Sequence, residues 1–147
     1  MRQSNTMGGL ALTAMLSLII MSVTGCSTHL SREEWKTQVE AKIDEWQLQP
    51  VDNITTFRLD SWASLGEWHL MVRTSPFKAY LLALGSRCPD LTYSQSLLLK
   101  QQLSTSLMAK FDSVATVDTP VPQCRIERIY PLTREQDKAL RALDSGS

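Results

Sequence analysis

The stretch TFRLDSWASLGEWHLMVRTSPFKAYLLAL, residues 56–84, decides the fold of this chain. Apolar and polar residues alternate from Thr56 to Trp62 and again from Trp68 to Arg73, which is typical of strands with one buried face. Gly66 lies between these segments and predicts a hairpin turn. Ala79 to Leu84 is apolar on both faces and predicts a central, fully buried strand. The fold is therefore expected to be built on an antiparallel sheet.

The chain beyond this stretch is ambiguous over Tyr93 to Phe111, because the sequence fits two periods. A helical face would be formed by Leu99, Leu103 and Leu107. The alternative, which we favour, is a strand over Ser96 to Gln102, a loop, and a further strand over Phe111 to Val117. Cys124 to Tyr130 predicts the last strand, so five or six strands are expected in all.

An amphipathic helix is predicted before the strands. Ser31 and Glu34 form a capping box, and Pro50 is expected to close the element. Its apolar stripe consists of Trp35, Val39, Ile43 and Trp46. Packing of Trp35 and Trp46 on the domain core is the favoured interpretation, and a contact surface for a partner or a membrane is the alternative.

A second capping box, Thr133 with Gln136, predicts a terminal helix that carries Leu140 and Leu143. The expected fold class is therefore α+β, with a small antiparallel sheet that curls toward a barrel and a helix at each end. The predicted domain spans residues 31–144, and residues 145–147 form a frayed tail.

The first 25 residues have the features of a secretory signal. Arg2 is followed by an apolar segment from Leu10 to Val23, which is too short to span a bilayer as a helix. Together with Thr24-Gly25 before Cys26, it resembles the recognition stretch of bacterial exported lipoproteins. That resemblance implies a signal peptide over residues 1–25, acyl chains (palmitate among them) on Cys26, and a short tether over residues 26–30. Ser27, where an inner-membrane lipoprotein commonly has Asp, implies the periplasmic face of the outer membrane.

The two remaining cysteines, Cys88 and Cys124, favour one structural disulfide, since exported chains fold in an oxidising compartment. A redox pair or a metal site are the other interpretations. A redox pair would favour a close Cys-x-x-Cys spacing, and a metal site would need more ligands than His29 and His69 supply.

Composition and motifs exclude several functional classes. The 147-residue chain has no formal net charge and no basic patch of the kind that nucleic-acid binders carry. No nucleophile elbow, phosphate-binding glycine loop or His-Glu-x-x-His motif occurs, so no catalytic residue, metal or cofactor is predicted. Asp60, Asp90 and Asp112 are considered as an acid and base set, but nothing in the sequence indicates that they approach one another, and Asp90 and Asp112 are better explained as turn residues. His69 is expected on the solvated face of its strand.

Several short segments resemble a family of small proteobacterial envelope lipoproteins and exported proteins of unknown function. They are Trp62, Tyr80-Leu81-Leu82, Cys88 with Asp90-Leu91, Phe111-Asp112-Ser113-Val114 and Cys124-Arg125-Ile126. The resemblance covers Ile54 to Leu132. It implies a compact β-rich domain with paired cysteines, and it implies no activity.

Two functional hypotheses follow. The first is a non-enzymatic lipoprotein that binds an envelope protein through the tryptophan-bearing helix or a sheet edge, with the lipid on Cys26 holding it to the membrane. The second is a binder of a small apolar or glycan ligand, held inside a barrel lined by tryptophans. We favour the first, because barrels of this size are usually filled with side chains.

Overall fold

A computed structural model describes residues 31–55, 57–121 and 123–144. The predicted signal peptide, Cys26, the tether and the tail over residues 145–147 lie outside these residues. Two helices, α1 (Arg32–Glu45) and α2 (Arg134–Asp144), flank the strands. The strands are β1 (Asn53–Thr55), β2 (Ser61–Leu65), β3 (His69–Ser75), β4 (Lys78–Leu84), β5 (Leu97–Lys100), β6 (Ser106–Met108), β7 (Ser113–Thr116) and β8 (Cys124–Leu132). The predicted α+β class is confirmed.

Six of the strands form one antiparallel sheet in the order β2-β3-β4-β8-β7-β5, and the sheet curls into a half-barrel. The strands β1 and β6 pair separately as a two-stranded sheet. The long pair β4 and β8 lies at the centre, where Leu82 is opposite Ile129 and Leu81 is opposite Tyr130. This position agrees with the prediction that the doubly apolar segment is a central strand.

Each face of the central strands covers a separate core. On the inner face, Leu82, Ile126 and Ile129 pack with Leu70, Val72 and Leu107 from neighbouring strands. On the outer face, the two helices cover the sheet, and the core consists of Trp35, Val39, Leu65, Met71, Leu81, Tyr130 and Leu140. Burial of apolar surface on both sides stabilises the sheet by roughly 25 cal/mol for each Å² removed from water.

The ends of both helices follow from local hydrogen bonding. Ser31 and Glu34 form the reciprocal capping box predicted for α1, and Thr133 and Gln136 form the one predicted before α2. The helix α1 ends at Glu45, well before the predicted stop at Pro50. The reason is a turn in which Gln47 adopts a left-handed φ of 48°, while the backbone N–H groups of Gln47 and Leu48 donate to the carbonyls of Asp44 and Ile43.

Two strand predictions are corrected by the structure. The strand predicted from Thr56 begins only at Ser61, because Phe57 donates its backbone N–H to Thr105 and is buried beside the small sheet instead. The ambiguous segment from Tyr93 to Phe111 forms strands rather than a helix, as favoured. It contains two strands instead of one, because β5 lies within the predicted Ser96–Gln102 segment and β6 was not predicted. A strand of three residues is too short to show a period.

The hairpin between β2 and β3 depends on Gly66, which has a φ of 76°. An added Cβ at this position would lie 2.8 Å from the Cβ of Trp35. The glycine therefore allows both the tight turn and the close approach of α1 to the sheet.

The predicted disulfide joins Cys88, in the turn after β4, to Cys124, the first residue of β8, with 6.0 Å between their Cα atoms. Both cysteines are buried at one end of the inner core. The bond closes a loop of 36 residues that contains β5, β6 and β7. It therefore ties the irregular half of the molecule to its centre.

We expect Cys88→Ser and Cys124→Ser each to lower the free energy of unfolding by roughly 4 kcal/mol, from the entropy of the released loop. The double variant should be no less stable than either single variant. Denaturant unfolding followed by tryptophan fluorescence measures this, with the reduced wild-type chain as the control. Equal midpoints for the oxidised wild type and the variants would contradict the prediction.

Candidate functional site

The strand β2 is an edge strand of the six-stranded sheet and pairs only with β3 among the described residues. Unpaired edges usually carry charged residues or proline, which prevent another chain from adding a strand. The sequence of β2, SWASL, contains neither, whereas the opposite edge strand β5 ends in Lys100. Trp62, Ala63 and Ser64 are half-buried. The β2 edge therefore carries no residue of the kind that resists strand addition.

A groove of about 770 Å³ lies at the end of β2, between the start of α1 and the turn after β4. Its lining residues include Ser64, Trp35 and Tyr93. At its base is Glu67, whose side chain is only 1% exposed. Arg87 donates two hydrogen bonds to this carboxylate, and the Arg32 Nε lies 3.0 Å from it.

The charges at this groove are set by the buried carboxylate. The hydrogen bond from Arg87 holds the pKa of Glu67 below its usual range, and the same bond raises the pKa of Arg87. Both arginines are about half-exposed, so each guanidinium is held at the protein surface in a fixed position. Two guanidinium groups share this one carboxylate, and the exposed Glu33 lines the same groove.

A second cluster of the same kind lies at the other end of β2. The buried Asp137 of α2 accepts hydrogen bonds from Arg73 of β3 and Arg141 of α2. Arg73 and Arg141 line a cleft of about 140 Å³ together with Ser61, Trp62 and Ala63 of β2. Each end of the edge strand therefore has a buried carboxylate shared by two arginines.

This arrangement is suited to binding an extended segment. The backbone of β2 offers its outer N–H and C=O groups to a partner strand, and the two clefts offer positions for side chains at either end. Main-chain bonds of this type give affinity, and the clefts at the ends give specificity. The sequence alone does not mark these clusters, because most of their members lie far apart in the chain and only Asp137 and Arg141 are close, at i and i+4.

His69 is not on a solvated face, and that prediction was wrong. Its side chain is 4% exposed and faces α1 in a groove of about 320 Å³. The alternation from Trp68 to Arg73 is correct, but the face assigned to solvent is the one that the helices cover. Burial, together with the smaller effect of the nearby Lys36 ammonium group, lowers the pKa of His69 to about 4. The Nδ1 atom of His69 has no hydrogen-bond partner among the described residues.

The tryptophans of α1 pack on the domain core, as the favoured interpretation predicted. Trp35 is 7% exposed and packs in the outer core, where it also lines the groove at the end of β2. Trp46 is half-buried against the same core. The inner core is packed mainly with aliphatic residues, together with the buried Phe57, and Trp62 packs at its edge. Trp68 lies under the ammonium group of Lys36. A tryptophan-lined barrel interior is therefore absent from the described residues.

The three aspartates considered for catalysis have separate places in the structure. Asp112 is fully buried, and its carboxylate accepts backbone N–H groups of Gln102 at 2.8 Å and Met108 at 2.6 Å. It therefore fixes the turns around β6. Asp60 is exposed before β2, and Asp90 is exposed in the short 3-10 turn after Cys88.

Within residues 31–55, 57–121 and 123–144, no group of three or more His, Cys, Asp or Glu side chains is arranged to hold a metal ion. None of the helices in the same residues has the length and apolar character needed to cross a bilayer.

Residues 9–145 match the model of a family of unknown function (DUF6491), and the chain belongs to that family. No curated protein and no solved structure proved similar enough to the chain to inform its function.

The buried histidine predicts a dependence of stability on pH. Its folded pKa of about 4 lies below the ordinary value of 6.5, so the unfolded chain takes up a proton that the folded chain does not. The contribution of neutral His69 to the free energy of unfolding is therefore fully present above pH 6.5 and is lost as the pH falls toward 4. The loss should reach about 2 kcal/mol at pH 5.

The measurement is denaturant unfolding at pH 7 and pH 5, for the wild type and for His69→Gln, which does not titrate. Other acidic groups affect both proteins equally, so the difference between them isolates His69. The same loss of stability in both proteins would show that His69 is not held neutral by burial.

Proposed function

We propose that this chain is a lipid-anchored protein at the periplasmic face of the outer membrane, where it binds an envelope protein through the edge of β2. The observation that carries the binding part is the open edge strand with an arginine-lined cleft at each end. No enzymatic step is part of the proposal.

The anchor is supported by the sequence before the described residues. The apolar segment from Leu10 to Val23, the small pair Thr24-Gly25 and the following Cys26 have the order of a lipoprotein signal. One acyl chain binds a membrane only marginally, whereas two or three on a single cysteine hold a domain stably. The helix α1 starts at Arg32, so the domain would stand close to the bilayer.

The partner is proposed to add an extended segment to β2. The neighbouring backbone is already held rigid, because β2 pairs with β3 over its whole length from Ser61 to Leu65. A preorganised edge loses little conformational freedom on binding, which favours affinity. The half-exposed arginines at both ends favour carboxylate groups in the bound segment.

The anchor is tested by replacing its attachment residue. Cys26→Ala should abolish labelling of the protein by a clickable palmitate analogue and should leave it unprocessed or soluble. Ser27→Asp is the matched control, because it should keep the label and move the protein to the inner-membrane fraction. Labelling that survives in Cys26→Ala would refute the anchor.

The contact surface is tested by photo-crosslinking in living cells, with benzoylphenylalanine at Ser61 or Ser64 of β2. Ser104, an exposed residue in the loop between β5 and β6, is the control position. We expect adducts at both β2 positions that map by mass spectrometry to one segment of one envelope protein, and none at Ser104.

A variant with a lysine on the β2 edge should lose binding of the partner segment. Because a charged edge resists strand addition, Ser61→Lys should remove the adduct formed at position 64 without lowering the melting temperature. Adducts spread over many proteins, or formed equally at Ser104, would contradict binding at β2.

A further inference from the structure

Three exposed apolar side chains lie at one end of the sheet, which we name the Tyr93 end. At this end β2, β4 and β7 finish and β3, β5 and β8 begin. Tyr93 is 78% exposed there, and Val117 and Val121 are also exposed. The loops that carry them are joined, since Val117 donates its backbone N–H to Ser96 and the Ser94 hydroxyl lies 3.5 Å from Asp118. These side chains therefore share one surface.

The described chain also begins at this end. Ser31, its first residue, lines the same groove as Tyr93 and Arg87. Four residues separate Ser31 from Cys26, and an extended chain of that length spans at most about 17 Å. If Cys26 is lipidated, the Tyr93 end lies within that distance of the bilayer.

The exposed residues Phe77, Leu103 and Phe111 lie at the opposite end of the sheet, where β3 and β5 finish and β7 begins. Phe77 lies in the turn between β3 and β4, at the opposite end of strands that are seven residues long. That length places Phe77 about 23 Å from the Tyr93 end, beyond the reach of the tether. Among the described residues, the Tyr93 end alone combines exposed apolar side chains with proximity to Ser31.

We propose that the Tyr93 end rests on the surface of the bilayer, with Tyr93, Val117 and Val121 at the level of the lipid headgroups. This inference rests on the lipid anchor proposed above. Tyrosine favours the membrane interface, since its ring is apolar and its hydroxyl remains hydrated. The arginines here are balanced by Glu67 and by the exposed Glu33 and Asp90, so the contact is apolar and needs no anionic lipid.

A membrane contact made by three side chains is weak on its own. The lipid anchor already holds the domain at the bilayer, so forming this contact requires no separate binding event. A short tether gives the surface a high effective concentration at the bilayer, so a weak contact is enough to orient the domain. In this orientation β2 stands upright on the membrane, and its edge faces sideways toward other envelope proteins.

The test uses the full chain, processed by a bacterial host and reconstituted in vesicles of phosphatidylethanolamine and phosphatidylglycerol. Benzoylphenylalanine replaces either Tyr93 or Phe77, two aromatic residues with the same exposure of 78%. After irradiation, mass spectrometry should find lipid adducts at position 93 and not at position 77. A second probe position, Val121, should also give lipid adducts.

The acylation state of Cys26, read from the same spectra, separates the two proposals. An acylated Cys26 with no lipid adduct at positions 93 and 121, or with equal adducts at position 77, would overturn this orientation and leave the anchor standing. Adducts of position 93 with a protein would also overturn it and would make the Tyr93 end a protein interface. An unmodified Cys26 would overturn both proposals.

Discussion

The pairing of β4 with β8 is the interaction on which the rest of the structure depends. The two strands carry apolar side chains on both faces, with Leu82 and Ile129 directed inward and Leu81 and Tyr130 directed toward the helices. A sheet with two apolar faces must be shielded from water by other parts of the protein on both faces. The half-barrel closes over one face and the helix layer covers the other, so the two cores exist because these central strands require them.

The sequence predicts those parts of the fold that local pattern determines. The two capping boxes, the turn at Gly66 and the doubly apolar central strand are visible in short windows, and the structure has all of them. The strands β1 and β6 were missed because three residues cannot display alternation. His69 was misplaced for a different reason, since a period of two separates the faces of a strand but does not say which face a helix will cover.

The clusters around the edge strand could not be predicted, because their contacts join distant parts of the chain. Arg73 and Asp137 are 64 residues apart, and Glu67 and Arg87 are 20 apart. Such pairs contribute little net stability, since the cost of removing a carboxylate from water offsets much of the attraction. Their clearer effect is geometric: each carboxylate fixes two arginine side chains at the ends of β2.

The disulfide, Glu67 and the start of α1 form one connected unit. Cys88 donates its backbone N–H to the carbonyl of Glu67 at 2.8 Å, and the side chain of Glu67 binds both Arg32 of α1 and Arg87. The contacts of α1 with Glu67 therefore lead, through this backbone hydrogen bond, to a covalent crosslink with β8. The disulfide and Glu67, the more buried of the two arginine-paired carboxylates, therefore both lie at the end of the sheet where α1 begins.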